Sequence, residues 1–162
     1  MRIFRPPPAS LGPDRRMTSP EVAIRTATPA DTSALAELAT HLGYPTSEPE
    51  MAARFARIFG RHDYETFVAE RDGRVVGFAG VMHGLSYAYD PPYARLLALV
   101  VEPGERGRGT GAMLVREAER WAREQGSDSL HLTTNLRREG AHRFYEGLGY
   151  ERTGARYLKK LG

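Results

Sequence analysis

The chain has 162 residues, 41% hydrophobic and 27% charged, with a formal net charge of +3. These values are typical of one soluble globular domain. The absence of cysteine excludes a disulfide framework, a thiolate metal site and a cysteine nucleophile. The longest apolar run, Leu96 to Val101, is too short to span a membrane, and no secretory h-region follows the start. We therefore expect a cytoplasmic protein without a membrane partner.

The basic charge of the chain does not predict nucleic-acid binding. Nearly all basic residues are arginine, with Lys159 and Lys160 the exceptions. Acids and bases intermix over residues 116–124, which is typical of a solvated helix face rather than of a basic patch. We expect no nucleic-acid partner, although a polyphosphate ligand would need only a local basic cluster.

The beginning of the chain differs from the rest. Residues 1–20 contain Pro6-Pro7-Pro8 and two further prolines that break regular structure, and they have few apolar anchors. We interpret residues 1–20 as a disordered N-terminal extension and residues 21–162 as the folded domain.

From Val22 onward the pattern becomes regular. Val22 to Thr26 predicts a strand, and Thr28 followed by Pro29 predicts the start of a first helix. Pro49 to Phe59 predicts a second helix. Two strands follow, joined by the hairpin signal Asp72-Gly73. The predicted bounds of these two strands are Thr66–Glu70 and Val75–Leu85.

The second half of the chain alternates strands and helices. Leu96 to Val101 predicts a buried strand, and apolar residues at helical spacing predict a long helix after it. The remaining predicted elements are a helix over Gly109–Gln125, a strand over Leu130–Thr134, a helix over Glu139–Leu148 and one or two strands from Gly149 to the end. The order predicts an α/β (α+β) fold with a mixed central sheet of six to seven strands and about four helices.

A glycine-rich turn stands between the buried strand and the long helix. Gly107, Gly109 and Gly111 alternate with other residues, although each glycine disfavours a helix. Bare backbone N–H groups at a helix start bind anions, and Arg106 and Arg108 add positive charge. We predict a phosphate site here. A flexible loop, or glycines that allow close helix–sheet packing, is the alternative.

Other phosphate motifs fit this turn less well. A P-loop needs lysine and a hydroxyl residue where Ala112-Met113 stands. The Rossmann fingerprint G-x-G-x-x-A is satisfied by Gly107 to Ala112, but it normally lies in the first strand–helix unit. The acid that should follow the next strand is replaced by Asn135-Leu136. A dinucleotide enzyme stays an alternative.

Two motifs resemble those of the GCN5-related N-acetyltransferase (GNAT) superfamily. Arg106-Gly107-Arg108-Gly109-Thr110-Gly111 matches the family pattern Arg/Gln-x-x-Gly-x-Gly/Ala. Ala141 to Tyr150 resembles the family block Ala-x-x-Phe-Tyr-x-x-x-Gly-Phe/Tyr. The order of elements also agrees, and the resemblance covers the chain except the first 20 residues.

The resemblance implies a site for acetyl-CoA as acyl donor, without a metal. The sheet would splay between its fourth and fifth strands. The pantetheine arm would pair with the backbone of Leu99, Val100 and Val101, and a backbone N–H near Val101 would bind the oxyanion. The pyrophosphate would lie on the amides of Arg106, Gly107, Arg108, Gly109, Thr110 and Gly111. Asn135 would orient the cofactor arm, or else be an exposed polar cap.

By the same resemblance Tyr145 is the catalytic general acid. A phenol with a pKa of about 10 stays protonated at neutral pH and can donate to a thiolate whose thiol has a pKa of about 8.5. Packing is the alternative role, because Phe144 and Tyr145 are adjacent on a helix. We expect Phe144 to face the core and Tyr145 to face the cleft.

The sequence departs from the family at two positions. Many relatives have a glutamate in the central strand that acts as base, whereas Leu97-Ala98-Leu99 offers no acid. The base would be His83, Asp90 or a chain of waters, or the reaction would need none. Arg138 replaces a frequent asparagine.

The acceptor side of the site is less defined by the sequence. Tyr87, Tyr89, Asp90 and Tyr93 could form an aromatic wall with one carboxylate, suited to a cationic amine, or an ordinary surface loop. The resemblance implies direct transfer of an acetyl group to a primary amine of a small molecule or peptide, in a monomer or a homodimer. A non-catalytic acyl-CoA-binding or sensor module is the alternative.

Overall fold

The computed structural model describes residues 21–162, so the predicted N-terminal extension lies outside the described residues. Its centre is one sheet of five strands, which lie side by side in chain order. The strands are β1 (Ala23–Thr26), β2 (Tyr64–Arg71), β3 (Arg74–Gly84), β4 (Tyr93–Val101) and β5 (Leu130–His131).

Four α-helices flank this sheet. They are α1 (Thr32–His41), α2 (Glu48–Ala56), α3 (Thr110–Glu124) and α4 (Glu139–Gly147). Short 3-10 turns at Pro29–Asp31 and Pro103–Glu105 precede α1 and α3. The start of α2 is fixed by a capping box, in which the Ser47 backbone N–H donates to Glu50 Oε2 at 2.9 Å.

The sheet is mixed. The neighbouring pairs from β1 to β4 are antiparallel, and β5 pairs with β4 in parallel. The predicted hairpin between β2 and β3 is confirmed: Asp72 and Gly73 both have positive φ, 52° and 73°, as the tight turn requires.

Each face of the sheet has its own hydrophobic core. On one face α3 contributes Leu114, Val115 and Trp121 against buried strand residues such as Ala94 and Leu96. On the other face α1 and α2 pack on the sheet, through side chains that include Leu35, Phe55, Val68 and Val100. Burial on both faces explains why β4 has an almost continuous apolar sequence.

Strand β4 has a bulge. Gly80 of β3 pairs with Ala98 and the next residue, Val81, pairs with Leu96, so Leu97 is the extra residue. A bulge leaves its extra residue outside the ladder and shifts the alternation of side chains. Leu97 is accordingly 48% exposed within an otherwise apolar strand.

The outer edge of β4 is largely open. Its pairing with β5 comprises Ala94 with Leu130 and Arg95 with His131. Within residues 21–162, no strand pairs with the following part of β4 on that side. The ladder between β4 and β5 therefore ends at Arg95 and His131, and the expected splay between the fourth and fifth strands stays a prediction.

The expected six to seven strands are not confirmed. The described part of the chain forms five strands, and the predicted strand Leu130–Thr134 shortens to Leu130–His131. No strand occurs from Gly149 to Gly162, where residues 151–162 are exposed. A strand needs a neighbour for its N–H and C=O groups, and extended propensity alone does not supply one.

Candidate active site

The glycine-rich turn leaves its backbone open. Gly107 and Gly109 have φ of 75° and 84°, in the left-handed region that glycine tolerates without strain. A Cβ built on either would meet no atom within 4 Å. Gly109 is also the N-cap of α3. The turn therefore offers bare backbone at a helix start, where N–H groups lack helical partners and attract anions.

Both arginines of the turn contact acceptor groups of neighbouring residues. Arg106 Nε donates to the carbonyl oxygen of Val101 at 3.3 Å, and Arg108 pairs with Glu105 at 3.4 Å. Glu105 is buried and also accepts from Arg71 Nε at 3.0 Å. Sequence reasoning missed Glu105, because its partner Arg71 on β2 is distant in the chain.

The last two residues of the predicted phosphate motif pack against their surroundings. Thr110 is 1% exposed, and within the described range its hydroxyl has no hydrogen-bond partner. Gly111 lies against Phe144, whose Cζ would be 3.3 Å from a Cβ there. A ligand at this turn would therefore meet backbone rather than the buried Thr110 side chain.

The predicted pantetheine residues use their side chains for packing. Val100 is 4% exposed and belongs to the α1–α2 core, while Leu99 and Val101 pack on the α3 side. Their backbone lies on the part of β4 that has no strand neighbour on its outer side among the described residues. An extended ligand can add to such an edge as a further strand.

Tyr145 is half-buried on α4, as is Phe144. The Tyr145 ring lies 5.1 Å from that of Phe144 and 5.7 Å from that of Tyr150, both edge-on. Burial raises the pKa of Tyr145, and the charge of Arg138 partly opposes this. The Tyr145 phenol is therefore protonated at neutral pH.

Tyr150 has a role that the sequence did not indicate. Its hydroxyl donates to Glu119 Oε1 at 2.9 Å and ties the chain after α4 to the middle of α3. The Tyr145 hydroxyl, by contrast, has no hydrogen bond to any residue of the described range.

Asn135 lies in the turn before α4. Its Oδ1 accepts from the Arg137 N–H at 3.0 Å, and its backbone oxygen accepts from the Arg138 N–H at 3.0 Å. His142 also contacts this carbonyl oxygen through Nε2 at 3.0 Å. Both oxygens of Asn135, Oδ1 and the backbone carbonyl oxygen, thus accept hydrogen bonds within a local turn. The side-chain NH₂ group makes no hydrogen bond within the described residues.

A cleft of about 470 Å³ opens beside the start of β4 and the end of β5. Three of the four residues considered for an aromatic wall, Tyr87, Tyr89 and Tyr93, line this cleft together with Arg95 and His131. The remaining lining residues are Leu85, Ser86, Leu132 and Thr133.

Neither candidate base from the sequence lines this cleft. Asp90 is not among the lining residues. His83 lies on the α3 side, where its ring meets Trp121 edge-on at 5.7 Å. The structure therefore gives neither residue a place in the lining of the cleft.

These features are those of one family. The sequence profile of the acetyltransferase (GNAT) family matches residues 32–150, which include the glycine-rich turn, the open edge of β4 and Tyr145. The chain belongs to the acetyltransferase (GNAT) family.

Individual relatives agree with this assignment. The aminoalkylphosphonate N-acetyltransferase of Salmonella typhimurium is 35% identical over 94 residues, which are 58% of this chain and 61% of that protein. The N-acetyltransferase 8 of Rattus norvegicus is 34% identical over 99 residues, 59% of this chain and 43% of that protein. The chain thus spans less than two thirds of either relative.

Among solved structures, a transcriptional regulator from Bacillus halodurans superposes with a TM-score of 0.81 at 25% identity. The match covers 87% of this chain and 100% of that one. In residues 21–162, no helix is long and apolar enough to cross a membrane, and no group of three or more metal-ligating side chains occurs.

Proposed function

We propose that this protein transfers the acetyl group of acetyl-CoA directly to a primary amine of a small molecule or peptide. The observation that carries the proposal is the open backbone of Gly107 and Gly109 at the start of α3, next to the unpaired edge of β4. A pyrophosphate needs such an anion site, and an extended pantetheine arm needs such an edge. The two relatives named N-acetyltransferases support nitrogen as the acceptor atom.

In this proposal different residues bind the pyrophosphate, the pantetheine arm and the thioester of acetyl-CoA. Arg106 and Arg108 add positive charge beside the N–H groups of the turn, and their internal contacts limit where their guanidinium groups lie. The backbone from Leu99 to Val101 would pair with the pantetheine arm, and an N–H near Val101 would receive the developing oxyanion. The thioester would then lie further along β4, toward Leu97.

Tyr145 supplies the proton in this proposal. The amine nitrogen attacks the thioester carbonyl carbon, the carbon–sulfur bond breaks, and the Tyr145 hydroxyl gives its proton to the departing thiolate. Because the pKa of Tyr145 is not lowered from its ordinary value but raised by burial, the phenol still carries this proton at neutral pH. Its hydroxyl has no competing partner in the described part of the chain.

The proton lost by the amine has no protein acceptor in this proposal. The bulged Leu97 stands where an acidic base would be useful, and His83 and Asp90 lie outside the cleft lining. The cleft is open to solvent, so water takes the amine proton and later returns one to Tyr145. The rate should therefore rise with pH as more of the acceptor amine becomes neutral.

The binding step is tested with Gly109→Ala and the matched control Gly126→Ala. Both glycines have a left-handed φ, 84° and 83°, with open space around a Cβ. Both variants therefore carry a similar conformational cost. Only Gly109→Ala places a methyl group at the proposed pyrophosphate site. By calorimetry we expect at least about tenfold weaker coenzyme A binding in Gly109→Ala alone, and equal affinity in the two variants contradicts the proposal.

A non-catalytic acyl-CoA sensor is the second candidate, favoured by the absence of an acid in Leu97–Leu99. An assay of free thiol release with acetyl-CoA and a panel of amines separates the two candidates. An enzyme releases coenzyme A in proportion to acetylated amine, whereas a sensor binds acetyl-CoA without turnover. Tighter binding of NAD than of coenzyme A would instead support a dinucleotide site.

A further inference from the structure

Arg95 differs from the other arginines that lie on strands. Arg25, Arg71 and Arg74 each form a salt bridge with a carboxylate. Arg95 has no salt bridge or hydrogen bond to any residue from 21 to 162, although its backbone is fixed in the middle of the sheet. A guanidinium group on a rigid strand without an internal acid is prepared to bind an external anion.

The side chain of Arg95 points into the tyrosine-lined cleft. Its neighbours Ala94 and Leu96 are buried in the core beneath α3, so Arg95 faces the opposite side of the sheet. It lines the cleft there, beside its strand partner His131. The pairing of β4 and β5 ends at these two residues, so they lie next to the part of β4 that has no outer strand neighbour within residues 21–162.

Among residues 21–162, no acidic residue lines the cleft. Its polar lining groups besides Arg95 and His131 are hydroxyls, those of Ser86, Thr133 and the tyrosines. Asp128 lines a smaller neighbouring recess with Tyr89 and His131. A cationic substituent would therefore meet an arginine in this cleft, whereas an anionic one would meet a guanidinium group and several hydroxyl donors.

We infer that the acceptor amine carries an anionic group, a carboxylate, phosphonate or phosphate, and that Arg95 binds this group. The inference rests on the proposed function and names the substrate class of that site. It replaces the expectation that the tyrosine wall and Asp90 would bind a cation.

The position of Arg95 also limits the length of the acceptor. Leu97 is two positions after Arg95 in the chain, which corresponds to roughly 7 Å along a strand. The proposed thioester position lies next to Leu97, so a short spacer between the amine and the anionic group bridges the two. The aromatic rings of Tyr89 and Tyr93 would enclose that spacer.

The kinetic test compares matched amines. 2-Aminoethylphosphonate and β-alanine are assayed against ethanolamine and β-alanine amide, which keep the spacer and lack the anionic charge. We expect a higher kcat/KM for both anionic amines. In Arg95→Gln their KM should rise by about 10- to 100-fold with little change in kcat, as for the loss of a charge-assisted hydrogen bond. The KM for acetyl-CoA should not change.

Arg116→Gln is the matched control, because Arg116 is an exposed arginine on α3 that makes no salt bridge or hydrogen bond within residues 21–162. It should leave all KM values as in the wild type. Arg95→Lys should restore part of the affinity, because lysine keeps the charge and loses the bidentate geometry. A wild-type preference for the uncharged amines, or equal KM values in Arg95→Gln and Arg116→Gln, overturns the inference.

A binding measurement separates this inference from the proposed function. Ethylphosphonate has no amine and is titrated by NMR into protein that already contains coenzyme A, which occupies the glycine-rich turn. We expect saturable binding that is lost in Arg95→Gln and kept in Arg116→Gln. If this holds while no amine is acetylated, the anion site stands and the proposed function fails. Binding that does not depend on Arg95 refutes the anion site.

Discussion

The ring of Phe144 lies directly against Gly111: a Cβ added to that glycine would fall 3.3 Å from Cζ and 3.5 Å from Cε2 of the ring. The glycine-rich turn and the Ala141–Tyr150 block, which are distant in the sequence, therefore meet at the first turn of α3. The absence of a side chain at position 111 lets α4 approach closely enough to hold Tyr145 beside the sheet.

This contact predicts opposite effects for two similar substitutions. Gly111 and Gly140 are both the second residue of a helix, in α3 and α4. Gly140→Ala meets no atom within 4 Å and should gain up to about 1 kcal/mol from helix propensity. Gly111→Ala must displace Phe144, which should cost about 1–3 kcal/mol. Urea denaturation measures both free energies of unfolding, and an equal gain in the two variants would show that Phe144 yields without cost.

We expect the hydroxyl groups of Tyr145 and Tyr150 to have different roles, the first in activity and the second in stability. Tyr145→Phe should lower kcat by about 10²–10⁴-fold, the range for general acid catalysis. It should leave stability almost unchanged, since the hydroxyl makes no hydrogen bond in the described part of the protein. Tyr150→Phe loses the bond to Glu119 and should cost about 1 kcal/mol with activity retained. Full kcat in Tyr145→Phe would assign that residue to packing.

We expect the buried Glu105, which lies next to the glycine-rich turn, to stabilise the fold. Glu105→Gln weakens buried charge-assisted contacts to Arg71 and Arg108 and should cost about 1.5–3 kcal/mol. The control is Glu102→Gln, which affects a more exposed pair with Arg74 and should cost less than about 1 kcal/mol. Thermal unfolding of the two variants checks the difference, and equal melting temperatures would argue against a supporting role for Glu105.

Asp31 predicts an acid-dependent contribution to stability. Arg25 donates to both carboxylate oxygens at 2.9 Å and holds the pKa of Asp31 below its ordinary value. A lowered pKa stabilises the fold above the unfolded pKa of about 3.9, and this contribution is lost as pH falls through the folded pKa.

Asp31→Asn should therefore be less stable than wild type at pH 7, and the difference should shrink as the pH falls below about 4. Urea denaturation at a series of pH values measures it. Asp63→Asn serves as control, since its partner Arg61 is exposed and the pair should contribute little. A difference for Asp31→Asn that stays constant down to the lowest pH would exclude the linkage.

Features that depend on neighbouring residues could be predicted from the sequence. The turn at Asp72-Gly73 and the start of α3 at Gly109 follow from local conformational rules, because glycine accepts a positive φ at little cost. The helix and strand order follows from the spacing of apolar residues. Together these local signals predicted the α/β fold class, which the structure confirms, and a phosphate site, which stays a prediction.

Features that depend on partners far apart in the chain required the tertiary structure. The bulge at Leu97 depends on how β3 pairs with β4, and the strand expected after Gly149 is missing because it finds no neighbour. The lining of the cleft also depends on residues that are distant in the chain. Its tyrosines were visible in the sequence, but Arg95 and His131 lie side by side only because β5 pairs in parallel with β4. The sequence alone determined where the acyl donor is expected to bind, whereas long-range strand pairing decided that Arg95 and His131 line the same cleft.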